Sequence, residues 1–347
     1  MKNKFYIGLV ITIIIVAIVG LIIYLTQKKK VLNLTPISEK QMLFLSLDEQ
    51  NNKIFYFGNK DKSAFYSYNI GTNEIQQLSD VLDTPDNVIW SPDKSKVILK
   101  VTYNKDLFEK YGSVYANSSV TDGTITFWLY DFDTKKLSLY NQNISNIVWS
   151  NDKIVYSYFN PDSSKNELYT ADFDGKNFEK IDFPDLEVYN IFYLDLENKK
   201  MVFGVNSSRE GGEITIDLYS TQDFQNTTLL IQGANPGLIT VSPDGQHYSF
   251  FENNNLIFKK TVDNKELYKI KKLVSSKVGW SSNNLALVFF TENKDKYYQI
   301  AKINLQDNKK TAIKITNQFN DINAIFVSEK AFYFTNMDIL YERDIES

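Results

Sequence analysis

The chain has 347 residues, 43% of them apolar, 14% aromatic and 23% charged, with a formal net charge of −4. That apolar and aromatic content excludes a mostly disordered chain, and the acidic balance argues against a nucleic-acid binder, which carries a basic face. The chain has no cysteine and one histidine, His247, which excludes thiol catalysis, disulfides, cysteine-held zinc and multi-histidine metal sites.

The first segment differs in kind from the rest. Ile7 to Leu25 is an uncharged run of 19 residues. As a helix it would be about 28 Å long, close to the ~30 Å hydrocarbon core of a bilayer. Lys2 and Lys4 precede it, Lys28, Lys29 and Lys30 follow it, and Tyr6 and Tyr24 lie near its ends, where amphipathic rings favour the headgroup level. A cleaved secretory signal has an apolar region of about 7–15 residues ending in a small-x-small site. Here bulky Leu21 to Leu25 occupies the place of cleavage. The expectation is a tail (1–4), an uncleaved transmembrane signal anchor (5–25) and a basic linker (26–30) beside anionic headgroups. The protein is then single-pass in the cell membrane. Lysines on the two sides of the span nearly balance, so charge alone does not orient it.

Beyond the linker one phrase recurs: an apolar run, Trp-Ser or an equivalent, a turn, and a second apolar run. It appears as Ile89-Trp90-Ser91-Pro92-Asp93, Val148-Trp149-Ser150-Asn151-Asp152, Thr240-Val241-Ser242-Pro243-Asp244-Gly245, Gly279-Trp280-Ser281 and Phe326-Val327-Ser328, with weaker copies around Leu45 and Tyr193. The tryptophan-equivalent positions 45, 90, 149, 193, 241, 280 and 327 are separated by 45, 59, 44, 48, 39 and 47 residues. Seven copies near a period of about 40–50 residues predict propeller blades, each a four-stranded antiparallel sheet.

The third and fourth strands of each copy are marked by hairpins. Asp133-Thr134-Lys135, Asp174-Gly175-Lys176, Asp263-Asn264-Lys265 and Asp307-Asn308-Lys309 follow β-branched or aromatic runs, and Asp, Asn and Gly tolerate the positive φ of tight turns. The last copy stops soon after Ile339-Leu340-Tyr341. Val31–Thr35 resembles the fourth strands elsewhere, so it is expected beside Ile339–Tyr341, closing the ring and protecting its edges. The predicted fold is all-β: a seven-bladed propeller of four-stranded antiparallel blades over 31–347, preceded by one transmembrane helix.

At the turns Ser91-Pro92-Asp93 and Ser242-Pro243-Asp244-Gly245 the chain resembles TolB-like, WD-repeat-like propeller repeats, and the resemblance spans Val31 to Ser347. Only the second turn keeps the motif's glycine, and the chain has no Trp-Asp dipeptide. The resemblance implies the propeller fold and an extracytoplasmic location. It implies no reaction, since a fold does not fix a function.

Signals for chemistry are sparse. The chain has no Gly-x-Ser-x-Gly nucleophile elbow, and Arg209 and Arg343, its two arginines, make no anion-clamping cluster. His247 follows a turn and is expected to start a strand facing solvent. Asp131-Phe-Asp133 and Asp172-Phe-Asp174 read as hairpins, because a calcium loop needs more ligands at fixed spacing. Trp90, Trp149 and Trp280 recur at one blade position and are expected to pack between blades. The 59-residue interval holds an insertion, Asn104–Gly123, on the face opposite the Ser-Pro-Asp turns. Its Phe108, Tyr111 and Tyr115 form a candidate interaction loop.

No catalytic, cofactor-binding or metal-ligating residue is singled out, and no cofactor is expected. The reading is a membrane-anchored, extracytoplasmic, non-enzymatic binding or scaffold module for a protein, peptide or glycan partner, without nucleic acid. The alternative is a carboxylate-dependent glycan hydrolase or lyase, whose mark would be two acids facing each other across a pocket.

Overall fold

The computed structural model describes residues 42–344, apart from 59–62, 81, 106–112, 116, 118–119, 141–142, 185, 211–212, 254, 272, 282–284, 291–297, 306–308, 316–321, 328–330 and 337–338. These residues form seven antiparallel sheets in chain order. Sheet 1 is β1 (Met42–Asp48), β2 (Lys53–Gly58), β3 (Ala64–Asn69) and β4 (Ile75–Gln77); sheet 2 is β5 (Asn87–Trp90), β6 (Lys96–Thr102), β7 (Ile125–Asp131) and β8 (Lys136–Leu139). Sheet 3 is β9 (Ile144–Ser150), β10 (Lys153–Asn160), β11 (Lys165–Asp172) and β12 (Glu179–Lys180); sheet 4 is β13 (Val188–Asp195), β14 (Lys200–Glu210), β15 (Glu213–Thr221) and β16 (Thr227–Ala234). Sheet 5 is β17 (Ile239–Val241), β18 (His247–Glu252), β19 (Asn255–Lys260) and β20 (Glu266–Lys271); sheet 6 is β21 (Leu273–Trp280), β22 (Leu285–Phe290), β23 (Tyr298–Asn304) and β24 (Lys309–Ile315). Sheet 7 has three strands, β25 (Ile322–Val327), β26 (Ala331–Asn336) and β27 (Ile339–Asp344). Each sheet is an up-and-down meander, and a short 3₁₀ turn, Pro236–Leu238, leads into β17.

Alternation along the strands puts an apolar face on both sides of each sheet, and those faces meet between neighbours. Phe57 and Phe65 of sheet 1 pack with Val97, Leu99 and Trp128 of sheet 2. Ile98 and Phe127 of sheet 2 meet Ile147 and Ile154 of sheet 3. The sequence continues through Leu168 with Phe203, Leu218 with Tyr248, and Phe258 with Val288. Tyr333 of sheet 7 packs with Met42, Ile54 and Tyr68 of sheet 1, so the array returns on itself as a propeller.

The boundaries are also bonded. Trp90 Nε1 donates to the Phe44 carbonyl (2.6 Å), Trp149 Nε1 to the Ile89 carbonyl (2.9 Å), and Trp280 Nε1 to Thr240 Oγ1 (3.0 Å). Each indole stands on the first strand of one sheet and reaches the first strand of the sheet before it. The expected packing of these three residues between blades is what the structure shows.

The first turns follow side-chain chemistry. Ser91 Oγ donates to Asp93 Oδ1 (2.7 Å) and accepts from Lys96 N (3.0 Å); Ser242 Oγ donates to Asp244 Oδ1 (2.6 Å) and accepts from His247 N (2.9 Å). Lys94 (φ 61°) takes the left-handed conformation that Gly245 (φ 68°) takes in sheet 5. At Gly245 a second constraint applies, because an added Cβ would overlap the Tyr193 ring of sheet 4.

Two expectations need correction. Seven blades of four strands each, preceded by a transmembrane helix, is not the arrangement found. Six sheets have four strands and the seventh has three, and the proposed closing strand Val31–Thr35 lies outside the described residues. Among the described residues no helix is long and apolar enough to cross a membrane, which overturns the single-pass membrane localisation. The 5–25 run on which it rested, with the 1–4 and 26–30 divisions, also lies outside the described residues. The physical reason is that a span needs length and hydropathy presented together by one helix, whereas the described residues carry their apolar side chains on strands that face neighbouring sheets.

Trp149→Phe keeps an aromatic ring but removes the donor to Ile89. Urea unfolding should show a stability loss of about 1–2 kcal/mol with an unchanged m-value; an unchanged midpoint would mean the bond adds nothing. Gly245→Ala combines a disfavoured φ with overlap and should cost about 1–3 kcal/mol. Adding Tyr193→Leu should return part of that loss, and purely additive losses would show that the ring is not the obstacle.

Candidate functional site

The insertion between β6 and β7 is packed structure where it is described. Tyr115 is fully buried, donates its hydroxyl to the Asp83 carbonyl (2.9 Å) and lies 5.6 Å from the Trp128 ring. Tyr103 is equally buried and ties the insertion by donating to the Asn117 carbonyl (2.6 Å). Phe108 and Tyr111 lie outside the described residues. Tyr115 is therefore placed in the core of sheets 1 and 2 rather than on an interaction loop.

A better-formed site lies at the boundary of sheets 2 and 3. Ile154, Tyr156 and Tyr158 alternate along β10 and so share one face, and Tyr156 pairs directly with Tyr169 on β11. Tyr140 arrives from the end of β8, and the β11–β12 hairpin adds Gly175 and Phe178. Together with Ile144 these residues line a cleft of about 260 Å³. Tyr156 and Tyr169 stack at 5.8 Å, whereas Tyr158 and Phe178 stand edge-on to Tyr169 at 5.9 and 6.0 Å. Phe178 is 64% exposed at the rim. Gly175 has φ +80°, and that conformation lets the hairpin close over Tyr140, whose hydroxyl donates to the Phe173 carbonyl.

Three of the cleft's hydroxyls, those of Tyr140, Tyr156 and Tyr169, are neutral at physiological pH. The Tyr169 hydroxyl donates to Glu167 Oε2 (2.8 Å), and this bond, with burial, pushes its pKa up to about 12. Burial also raises Tyr140 and Tyr156. Glu167 is held down at about 2 by Lys180 (2.8 Å), the Tyr169 hydroxyl and Asn160, so it stays ionised and fixes the Tyr169 ring. The sequence signal for this face was the alternation Ile154-x-Tyr156-x-Tyr158; the partner ring needed the strand register.

A second, more polar cleft of about 570 Å³ lies between sheets 4 and 5, on the side of the first turns. His247 lines it. As expected it begins a strand, β18, but it is 7% exposed instead of facing solvent, because the Ser242 turn folds its backbone inward. Its Nδ1 is buried without a hydrogen-bond partner. Burial lowers its pKa; Asp244 opposes that and Lys260 adds to it. Among the described residues Asp244 is the one acidic side chain lining this cleft and none lines the first, so no facing pair of acids is found among them in either. Among the described residues no group of three or more His, Asp or Glu is placed to hold a metal ion.

The fold and these clefts define the chain as a β-propeller. No family model matches the chain, and no curated protein matches it. Among solved structures it is similar to an oligogalacturonate lyase in complex with manganese, with 12% identity and a TM-score of 0.58 over 91% of this chain and 98% of that one. It is also similar to a chain of a mitotic checkpoint complex, with 11% identity and a TM-score of 0.53 over 92% and 95%. TolB from Acinetobacter baumannii aligns over 66% of this chain and 54% of its own, with 13% identity and a TM-score of 0.42. At these identities the first two likenesses speak to fold alone.

A histidine whose folded pKa is depressed stabilises the fold fully above its unfolded value near 6.5, and that contribution is lost as pH falls through the folded value. The wild-type melting temperature should therefore fall relative to that of His247→Phe between pH 8 and pH 5. Parallel profiles for the two proteins would remove His247 as the cause.

Proposed function

We propose that this protein is a non-catalytic binding module whose tyrosine-lined cleft between sheets 2 and 3 receives a protein, peptide or glycan partner. The observation that carries this reading is the cleft itself: a preformed 260 Å³ space lined by four tyrosines and the exposed Phe178. Rings set at right angles offer flat faces to a proline or a sugar ring, and neutral hydroxyls at the edges supply hydrogen bonds. Aromatic residues of this kind dominate interface energetics, because they bring large contact area with few rotatable bonds. Glu167 supports the same reading by locking the Tyr169 ring before any partner arrives.

The test is capture from a glycan array and a proline-rich peptide array by the full chain, followed by titration of the strongest binder. Phe178→Ser and Tyr158→Ala should each weaken binding at least tenfold. Phe178→Ser should leave the melting temperature within about 2 °C, since its ring is mostly exposed already. Capture unaffected by both variants would overturn the cleft as the binding site. Turnover of any captured glycan would overturn the non-catalytic reading.

A further inference from the structure

The second cleft has a different chemistry and no part in the reading above. Its apolar lining is the buried Met201, Val202 and Leu305 with the exposed Val262. Its walls are polar: Lys200 and Thr221 come from sheet 4, and Asp244, His247, Lys260 and Thr261 from sheet 5. Asp244 accepts at Oδ1 from the Ser242 hydroxyl (2.6 Å) and the Gln246 backbone N–H (3.0 Å), bonds that hold the turn together. Lys200 and Lys260 are half-buried; Lys200 stands across the β13–β14 hairpin from Asp195 and helps hold that carboxyl down, whereas Lys260 is in no ion pair among the described residues. The Thr261 hydroxyl donates to the Gly245 carbonyl (2.7 Å), fixing the turn against β19.

His247 supplies the second observation. A buried polar atom without a hydrogen-bond partner costs about 1–3 kcal/mol, and such atoms call for an explanation, often a missing ligand or ion. Here the unpartnered Nδ1 belongs to a side chain that lines the same cleft as the two lysines. The volume, about 570 Å³, falls within the range of small-molecule sites.

We propose that the cleft between sheets 4 and 5 binds a small, hydroxyl-rich anion of roughly monosaccharide size. Lys200 and Lys260 take its carboxylate or phosphate, and His247 donates to it as the imidazolium. The exposed Gln222 and Gln246 side chains serve the hydroxyls, and the apolar lining carries the body of the molecule. The groups facing His247 that also bear or gain charge are Asp244, Lys260, Lys200 and Tyr193. Burial pushes the Tyr193 hydroxyl up and lowers His247. Protonation of His247 adds a positive charge to the cleft, so binding strengthens as pH falls.

The full chain is titrated calorimetrically with glucuronate, glucose 6-phosphate and uncharged glucose. At least one anion should bind tenfold or more tighter than glucose, and which of the two binds tighter separates a carboxylate site from a phosphate site. Equal affinity for all three, or no binding of either anion, would overturn the proposal. Lys200→Met/Lys260→Met should weaken the anion at least tenfold, and retention of affinity would overturn it. Because His247 is the one histidine, its ring protons can be followed in the unaltered protein by NMR. Saturating anion should shift them and raise the apparent pKa, which keeps the test open if the double variant does not fold. Unmoved histidine signals would place the anion elsewhere. Phe178→Ser should leave anion binding unchanged, so failure here is distinguishable from failure of the aromatic cleft.

Discussion

An indole nitrogen on the first strand of one sheet, bonded to the first strand of the sheet before it, is the constraint on which the remaining geometry depends. Trp90, Trp149 and Trp280 make this bond at three boundaries. Apolar packing between sheets is non-directional, and by itself it would let two faces slide. A hydrogen bond from a fixed ring to a single acceptor sets both offset and twist. The serine after each of these three tryptophans is buried, and at Ser91 the chain reverses at once and the second strand starts in register. Where the indole is missing, other groups serve. At the boundary of sheets 3 and 4, Asn146 Nδ2 donates to the Tyr189 carbonyl (2.9 Å); at that of sheets 4 and 5, the Tyr193 ring lies against Gly245.

This dependence explains where the clefts form. Two rigid faces joined at their inner strands diverge outward, and the gap is filled only as far as side chains reach. Between sheets 2 and 3, Tyr140 and Tyr169 fill it incompletely and leave an aromatic-lined cleft. Between sheets 4 and 5 the turn residues Asp244 to His247 line the opening instead, and the result is polar. One architecture thus yields two chemically distinct sites, according to which blade supplies the edge.

Much of the sheet order was legible in the sequence, because it is written locally. The Trp-Ser and Ser-Pro-Asp phrases fall at the ends of first strands. Asp-x-Lys hairpins fall between third and fourth strands, with Lys135 and Asn264 at positive φ. What was not legible depends on register or on distant contacts. Tyr140, Tyr158 and Phe178 are scattered along the chain and become one wall only when β10 and β11 are paired. Tyr115 sits among polar residues and reads as exposed, yet it is buried because the insertion folds back toward Asp83. His247 reads as solvent-facing because it stands two residues after the Asp244-Gly245 turn, while its burial is decided by how that turn folds.

The placement of the indoles also determines what the protein's own light reports. Of four tryptophans, three bond across sheet boundaries, and Trp128, which donates to Thr126 within its own strand, packs against Phe57 and Phe65 of the neighbouring sheet. Intrinsic emission is therefore weighted toward the seams of the ring and away from the interiors of its sheets. Separation of neighbouring blades admits water to those indoles and reddens the spectrum while each meander keeps its strands. A far-ultraviolet signal, by contrast, follows the strands themselves, so the two spectra resolve the opening of the ring from the melting of its parts.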